Sequence, residues 1–193
     1  VVFSPAMAGD MVNNKQITNE SFTNYIQTVE NAPLLKGKFK DFRHKSKEGG
    51  LDTLGFGHKL TATEDKNNKV YQYDLSEINS STSPERILEI SNDILRQDLE
   101  KTEKILITTH GNKFINLDLR RKQMLIDMQF NVIDFNKPEV FKNFKKALFA
   151  GDEEGMKKEY KRGFYLSKED RKNKTNFQSL ARNDFFNKYF LDK

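Results

Sequence analysis

The sequence predicts an α+β fold, mostly helical: a small β-sheet lobe, a long connecting helix and a helical C-terminal lobe. Three observations carry that expectation. Residues 19–30 and 84–110 place apolar side chains at helical spacing. The stretch Gly49-Gly50-Leu51-Asp52-Thr53-Leu54-Gly55-Phe56-Gly57-His58-Lys59-Leu60 combines strand-like residues with four glycines, a pattern of short strands and tight turns. From Leu119 onward, apolar helical segments follow one another with no further strand pattern.

Composition bounds this plan. A chain of 193 residues is long enough for one well-buried core, in one or two lobes. A hydrophobic fraction of 36% supports a globular fold despite 32% charged residues. Sixteen Phe and no Trp point to a core of Phe, Leu and Ile, and the lack of Cys excludes disulfides and thiolate chemistry. No run of residues is apolar enough for a membrane span. The opening residues lack a basic segment, so no signal peptide is assigned. The missing initiator Met suggests a processed product or a domain cut from something longer. A formal charge of +5 favours anionic partners. No Arg-rich helix accompanies it, so specific nucleic-acid binding through the Lys-rich segment 36–47 is the weakest reading.

Taken in order, residues 1–17 read as a flexible arm, broken at Ser4-Pro5 and Gly9-Asp10, and residues 18–193 as a single domain. Within that domain the sheet lobe covers about 34–82. The helical lobe covers about 84–193 together with helix 19–30. Phe22, Tyr25, Ile26 and Val29 form one helix face; Thr18 or Asn19 is the N-cap and Pro33 prevents continuation. Glu30 falls in the last turn, where the helix end carries partial negative charge, so partial burial would push its pKa up. Residues 34–47 are rich in Lys and are expected to enter a first strand. Residues 61–82 read as a surface loop or small hairpin, with a short strand at 70–73. Ser83-Pro84-Glu85 is a strong helix start, with Ser as N-cap and Pro at the first helical position; that helix ends near Gly111. Residues 119–132 give a central helix, apolar on more than one face through Met124, Leu125, Ile126, Met128 and Phe130. Pro138 opens a helix with Phe141 and Phe144. Gly151-Asp152 caps a shorter one that ends at Gly163-Phe164-Tyr165, and a last helix holds Phe177 to Tyr189.

No metal-ligand spacing, phosphate loop or cofactor motif is present, so no metal and no cofactor is expected. Gly55-Phe56-Gly57 is not followed by a helix start, which excludes a dinucleotide fingerprint. A Ser-His-Asp triad has no supporting motif.

Thr53-Leu54-Gly55-Phe56-Gly57-His58 resembles the Thr-Ile-Gly-Tyr-Gly-His signature of the phage-type muramidases (phage lysozymes). Two further stretches resemble that family in order: Leu119-Arg120-Arg121 through Phe130-Asn131, and Phe141-Lys142-Asn143-Phe144 running to Gly163-Phe164-Tyr165. Together they cover most of residues 19–190. The resemblance implies a lysozyme-like two-lobe fold that cleaves the β-1,4 bond between N-acetylmuramic acid and N-acetylglucosamine. It implies Glu30 as the general acid and Thr53 as the hydroxyl that helps hold the attacking water. Phe130, Asn131 and His58 would contact the sugar cleft, His58 chiefly by bracing its lobe through hydrogen bonds. The implied partner is bacterial peptidoglycan. The implied setting is a phage virion, as part of a larger virion protein, or the lysis-phase host cell, acting on the wall from the periplasm.

The sequence departs from that pattern twice. Glu30 and Thr53 are further apart than the family's spacing, through an insertion around residues 33–38. The aspartate expected six residues before Thr53 is replaced by Lys47. Glu48 is the first substitute carboxylate and His44 the second base, whereas Asp52 should point away from Thr53 because strand neighbours alternate faces. This leaves two alternatives to hydrolysis: a lytic transglycosylase using Glu30 alone, or an inactive lysozyme-like wall-binding or virion structural module.

Overall fold

The computed structural model describes residues 17–46, 49–163 and 177–192, which are mostly helical with a small antiparallel sheet. Residues 1–16 of the arm, Lys47, Glu48, Phe164 and Tyr165 lie outside the described residues. The chain forms two compact units. One takes in the described residues of 27–100 and 162–184, the other those of 1–26, 101–161 and 185–193. Helix α1 (Glu20–Asn31) contributes to both, and each unit is described by itself.

The first unit begins where α1 ends. Asn19 Oδ1 caps the start of that helix by accepting from Phe22 N at 2.9 Å, and Pro33 sits at the start of the following 3-10 turn, Ala32–Lys36. Residues 34–41 form this turn and a second one, Phe39–Asp41, and the segment then enters its first strand at Arg43, as expected. Gly37 closes the first turn at φ 67, and a Cβ there would lie 2.5 Å from the Pro84 carbonyl oxygen. Only glycine meets both demands.

Three two-residue strands follow: β1 (Arg43–His44), β2 (Thr53–Leu54) and β3 (His58–Lys59), antiparallel in that order. His44 lies opposite Thr53, and Leu54 lies opposite His58. Gly55 and Gly57, at φ 56 and 98, turn β2 into β3 within three residues. Phe42, Leu54, Phe56 and Leu60 are buried around the sheet.

The segment 61–82 holds more structure than its composition predicts. Helix α2 (Ala62–Asn67) opens on a capping box: Glu64 N donates to Thr61 Oγ1 at 3.1 Å, and Thr61 N donates to Glu64 Oε1 at 2.9 Å. The small hairpin offered for this segment is present as β4 (Lys69–Val70) and β5 (Tyr73–Asp74); residues 70–73, expected as one short strand, hold its turn, because Tyr71 takes φ 51. Helix α3 (Pro84–His110) then starts as predicted, with Arg86 N donating to Ser83 Oγ at 3.2 Å. Ile87, Ile90, Ile94, Leu95 and Leu99 line its buried side.

In the second unit, α4 (Asn112–Ile115) leads to α5 (Leu119–Asn131). Met124, Leu125, Ile126 and Met128 are fully buried, as their spread around the helix predicts. The next helix, α6 (Lys142–Ala150), begins four residues after Pro138, because Phe141 takes a left-handed φ of 53. Asp152 caps α7 (Glu153–Glu159) by accepting from Gly155 N at 3.0 Å. Helix α8 (Phe177–Phe186), whose residues up to Asp184 belong to the first unit, runs on into a π turn, Asn187–Leu191. Phe186 and Phe190 pack at 4.8 Å between ring centroids, and Phe190 stands 5.4 Å from Tyr25. Stacking of this kind adds about 0.5–1.5 kcal/mol per pair beyond burial.

Candidate active site

Glu30 occupies the last turn of α1, and its side chain is mostly buried at 15% exposure. Its carboxylate accepts a hydrogen bond from the guanidinium of Arg182 on α8, itself 7% exposed. An ion pair between groups this far out of water is held by its geometry, since losing either partner strands the other charge. The neighbouring residue fixes where the pair sits. Asn31 Nδ2 donates to the Asp41 carbonyl at 2.9 Å and to the Gly55 carbonyl at 3.0 Å. Asn31 therefore clamps the Glu30 end of α1 to the segment before β1 and to the turn two residues beyond Thr53. Ser91 on α3 backs that turn, 3.6 Å from where a Cβ of Gly55 would lie.

Thr53 is buried on the central strand, with His44 as its cross-strand partner. Directly opposed residues hold their Cβ atoms about 4.5–5.5 Å apart on the same face. Arg43 and Lys45, which flank His44, take the other direction and grip Asp52 at 2.8 and 3.1 Å. Hydrogen bonds from Arg43, then Lys45, hold the Asp52 carboxyl below its usual range. Asp52 is thus committed to its two cations, while His44 and Thr53 present an imidazole and a hydroxyl together. Glu48, the other candidate base, lies outside the described residues.

His58 sits at the heart of a polar cluster. Its Nδ1 stands 2.9 Å from both Asp98 carboxylate oxygens, and its Nε2 lies 3.1 and 3.2 Å from those of Glu64. Tyr71 donates its hydroxyl to Asp98 at 2.5 Å. Burial by itself would lower the His58 pKa, but the Asp98 hydrogen bond and charge, followed by Glu64, raise it above the ordinary 6.5. Glu64 moves the other way: burial would raise it, and the Thr61 N–H and His58 bring it below the ordinary 4.5. The Tyr71 hydroxyl is raised by burial and by Asp98. With both ring nitrogens occupied by carboxylates, His58 ties β3 to α2 and α3.

Phe130 and Asn131 end α5 in the second unit, both half-buried. Glu30, His44, Thr53 and His58 all belong to the first. The sequence did not single out Arg182, Asn31 or Asp98. Arg182 lies 152 residues from its partner, a separation no local pattern bridges. Asp98, an acid wedged between the buried Leu95 and Leu99 on α3, carried a usable signal, because an acid beside a core stripe calls for a cation. Among the described residues, no cluster of His, Asp and Glu is placed to hold a metal, and no helix is long and apolar enough to cross a membrane.

The arrangement puts a mostly buried carboxyl group with a fixed counter-cation on an element clamped to a short sheet. That sheet offers a hydroxyl and an imidazole on adjacent strands. Such a set can donate a proton once the Glu30 carboxylate has taken one up, and can hold and deprotonate a water. No known protein family, curated protein or solved structure matches the chain.

Proposed function

We propose that the chain is a peptidoglycan-degrading glycosidase with a lysozyme-like fold of the phage-type muramidase kind. It cleaves the β-1,4 bond between N-acetylmuramic acid and N-acetylglucosamine. The observation that carries this reading is the Asn31 clamp, which joins the end of α1 bearing Glu30 to the turn that follows Thr53. Glu30 is the general acid: its carboxyl proton passes to the glycosidic oxygen as the bond to the muramic acid C1 breaks. In the free structure Glu30 is already paired with Arg182, so this reading requires Glu30 to take up a proton before the step, after which Arg182 pairs again with the carboxylate that remains. Thr53 positions a water on the opposite side of the sugar, and His44 takes its proton as the new C–O bond forms, which is inverting chemistry. The net charge of +5 draws the protein to an anionic wall through long-range attraction that salt screens. The setting that fits is a virion-borne or lysis-phase lysin acting on the periplasmic wall.

A second reading is favoured by one observation, the commitment of Asp52 to Arg43 and Lys45. With that carboxylate engaged, Glu30 alone could direct the muramic acid's own 6-hydroxyl onto C1, as lytic transglycosylases do. A zymogram on purified peptidoglycan tests the main reading. Wild-type protein should clear the wall, and Glu30→Gln should reduce clearing by on the order of 10²-fold or more. Clearing by the variant within a few-fold of wild type, at unchanged melting temperature, overturns the assignment of Glu30.

A further inference from the structure

The segment between α1 and β1 is held firmly on its core side. Leu34 and Phe42 are 0% and 3% exposed. Gly37 packs against the Pro84 carbonyl, and the Asp41 carbonyl accepts from Asn31 Nδ2 at 2.9 Å. Leu35 and Phe39 turn outward instead, 44% and 38% exposed. Lys36, Lys38 and Lys40 are exposed among them.

These five side chains fall within residues 35–40, across two successive 3-10 turns. Even a fully extended chain would spread them over no more than about 20 Å, so they form one patch. Its charge is positive: Asp41 is the one acid among residues 32–46, and Arg43 and Lys45 already answer Asp52. An isolated exposed apolar residue is ordinary surface. Two of them interleaved with three lysines ask for a partner that is both apolar and anionic.

We propose that this patch is a peripheral binding surface for an anionic phospholipid bilayer. Leu35 and Phe39 enter the boundary between headgroups and acyl chains, and the three lysines lay their stems along it with their ammonium groups on the phosphates. The mixture of side chains decides the partner. A soluble polyanion such as nucleic acid answers the lysines but leaves Leu35 in water. A bilayer surface answers both. The rigid backing of Leu34, Gly37 and Phe42 presents the patch already formed, which lowers the ordering cost of binding. The association is superficial and requires no spanning helix. It goes beyond the glycosidase reading and does not rest on it.

The test is sedimentation of the protein with vesicles of phosphatidylglycerol mixed with phosphatidylcholine, and of phosphatidylcholine alone. Saturable binding to the anionic vesicles is expected, weakened by added salt and far weaker on the neutral ones. Lys36→Gln, Lys38→Gln and Lys40→Gln combined should lower binding by about 10²-fold, about fivefold per lysine. Leu35→Ala with Phe39→Ala should lower it by about tenfold or more. The chain has no Trp, so Phe39→Trp supplies a reporter whose emission should shift to the blue on the anionic vesicles. Equal binding to both vesicles, or unchanged binding by the triple lysine variant, overturns the proposal. An unshifted reporter on bound vesicles does the same, and it decides the matter if the double alanine variant fails to fold. Tighter, lysine-dependent binding to a single-stranded DNA oligonucleotide than to the anionic vesicles would assign the patch to nucleic acid and also overturn it. The vesicles contain no glycan, so none of these outcomes depends on wall cleavage.

Discussion

Asn31 and His58 are the residues on which the local geometry turns, and they do so by opposite means. Asn31 is neutral and donates to two backbone carbonyls, at Asp41 and Gly55. Asn31→Ala leaves both carbonyls short of a donor and should cost about 1–3 kcal/mol in denaturant unfolding. Wall-clearing activity should fall further than the loss of folded protein explains, since the clamp sets the Glu30 end of the helix. His58 acts through charge, and its pH dependence has a definite sign. Its folded pKa is raised, so its stabilisation is fully present below the ordinary 6.5 and is lost as pH rises through the folded value. Glu64 is lowered, so its share is present above the ordinary 4.5 and is lost as pH falls through its folded value. The cluster is therefore most stabilising between about pH 4.5 and 6.5. The difference in melting temperature between wild type and His58→Gln should be largest there and should shrink toward pH 9. A difference that grows with pH would refute the ionised His58–Asp98 pair.

At the scale of the element, the turn at Gly37 governs how α1 is followed. Gly37→Ala would need both a left-handed backbone and a Cβ 2.5 Å from the Pro84 carbonyl oxygen at the start of α3. The loss should exceed the roughly 1 kcal/mol of an ordinary left-handed glycine position, readable as a lowered urea midpoint; a neutral outcome would mean that the two backbones do not meet. The elements legible in the sequence were those whose signals are local. Ser83-Pro84-Glu85 announced α3, and Asn19 and Pro33 bracketed α1. The Thr61 and Glu64 pair also announced α2, but that signal was masked by the polar composition around it. What stayed illegible rests on backbone choices or long-range pairing. Phe141 delays α6 by adopting a left-handed φ, which a bulky residue rarely takes. Tyr71 places the turn of the hairpin inside residues 70–73, read as one strand, in the same way. The Glu30–Arg182 pair joins residues 152 apart, and only the folded chain brings them together. The candidates Glu30, Thr53 and His44 came from the resemblance; the hydrogen bonds of Asn31 and Arg182 around them could not be read from the sequence.

For the whole molecule, the central claim is that Glu30 makes this protein cut the glycan strand of the bacterial wall. The most direct measurement is mass spectrometry of the soluble fragments released from purified peptidoglycan by wild type and by Glu30→Gln. The account predicts disaccharide–peptide fragments with a reducing-end muramic acid from wild type and essentially none from the variant. Fragments lighter by one water would carry a 1,6-anhydro end; they would contradict the water-activating role of Thr53 and His44 while keeping Glu30. No released fragments from folded wild-type protein, or equal release by the Gln variant, would contradict the central claim itself.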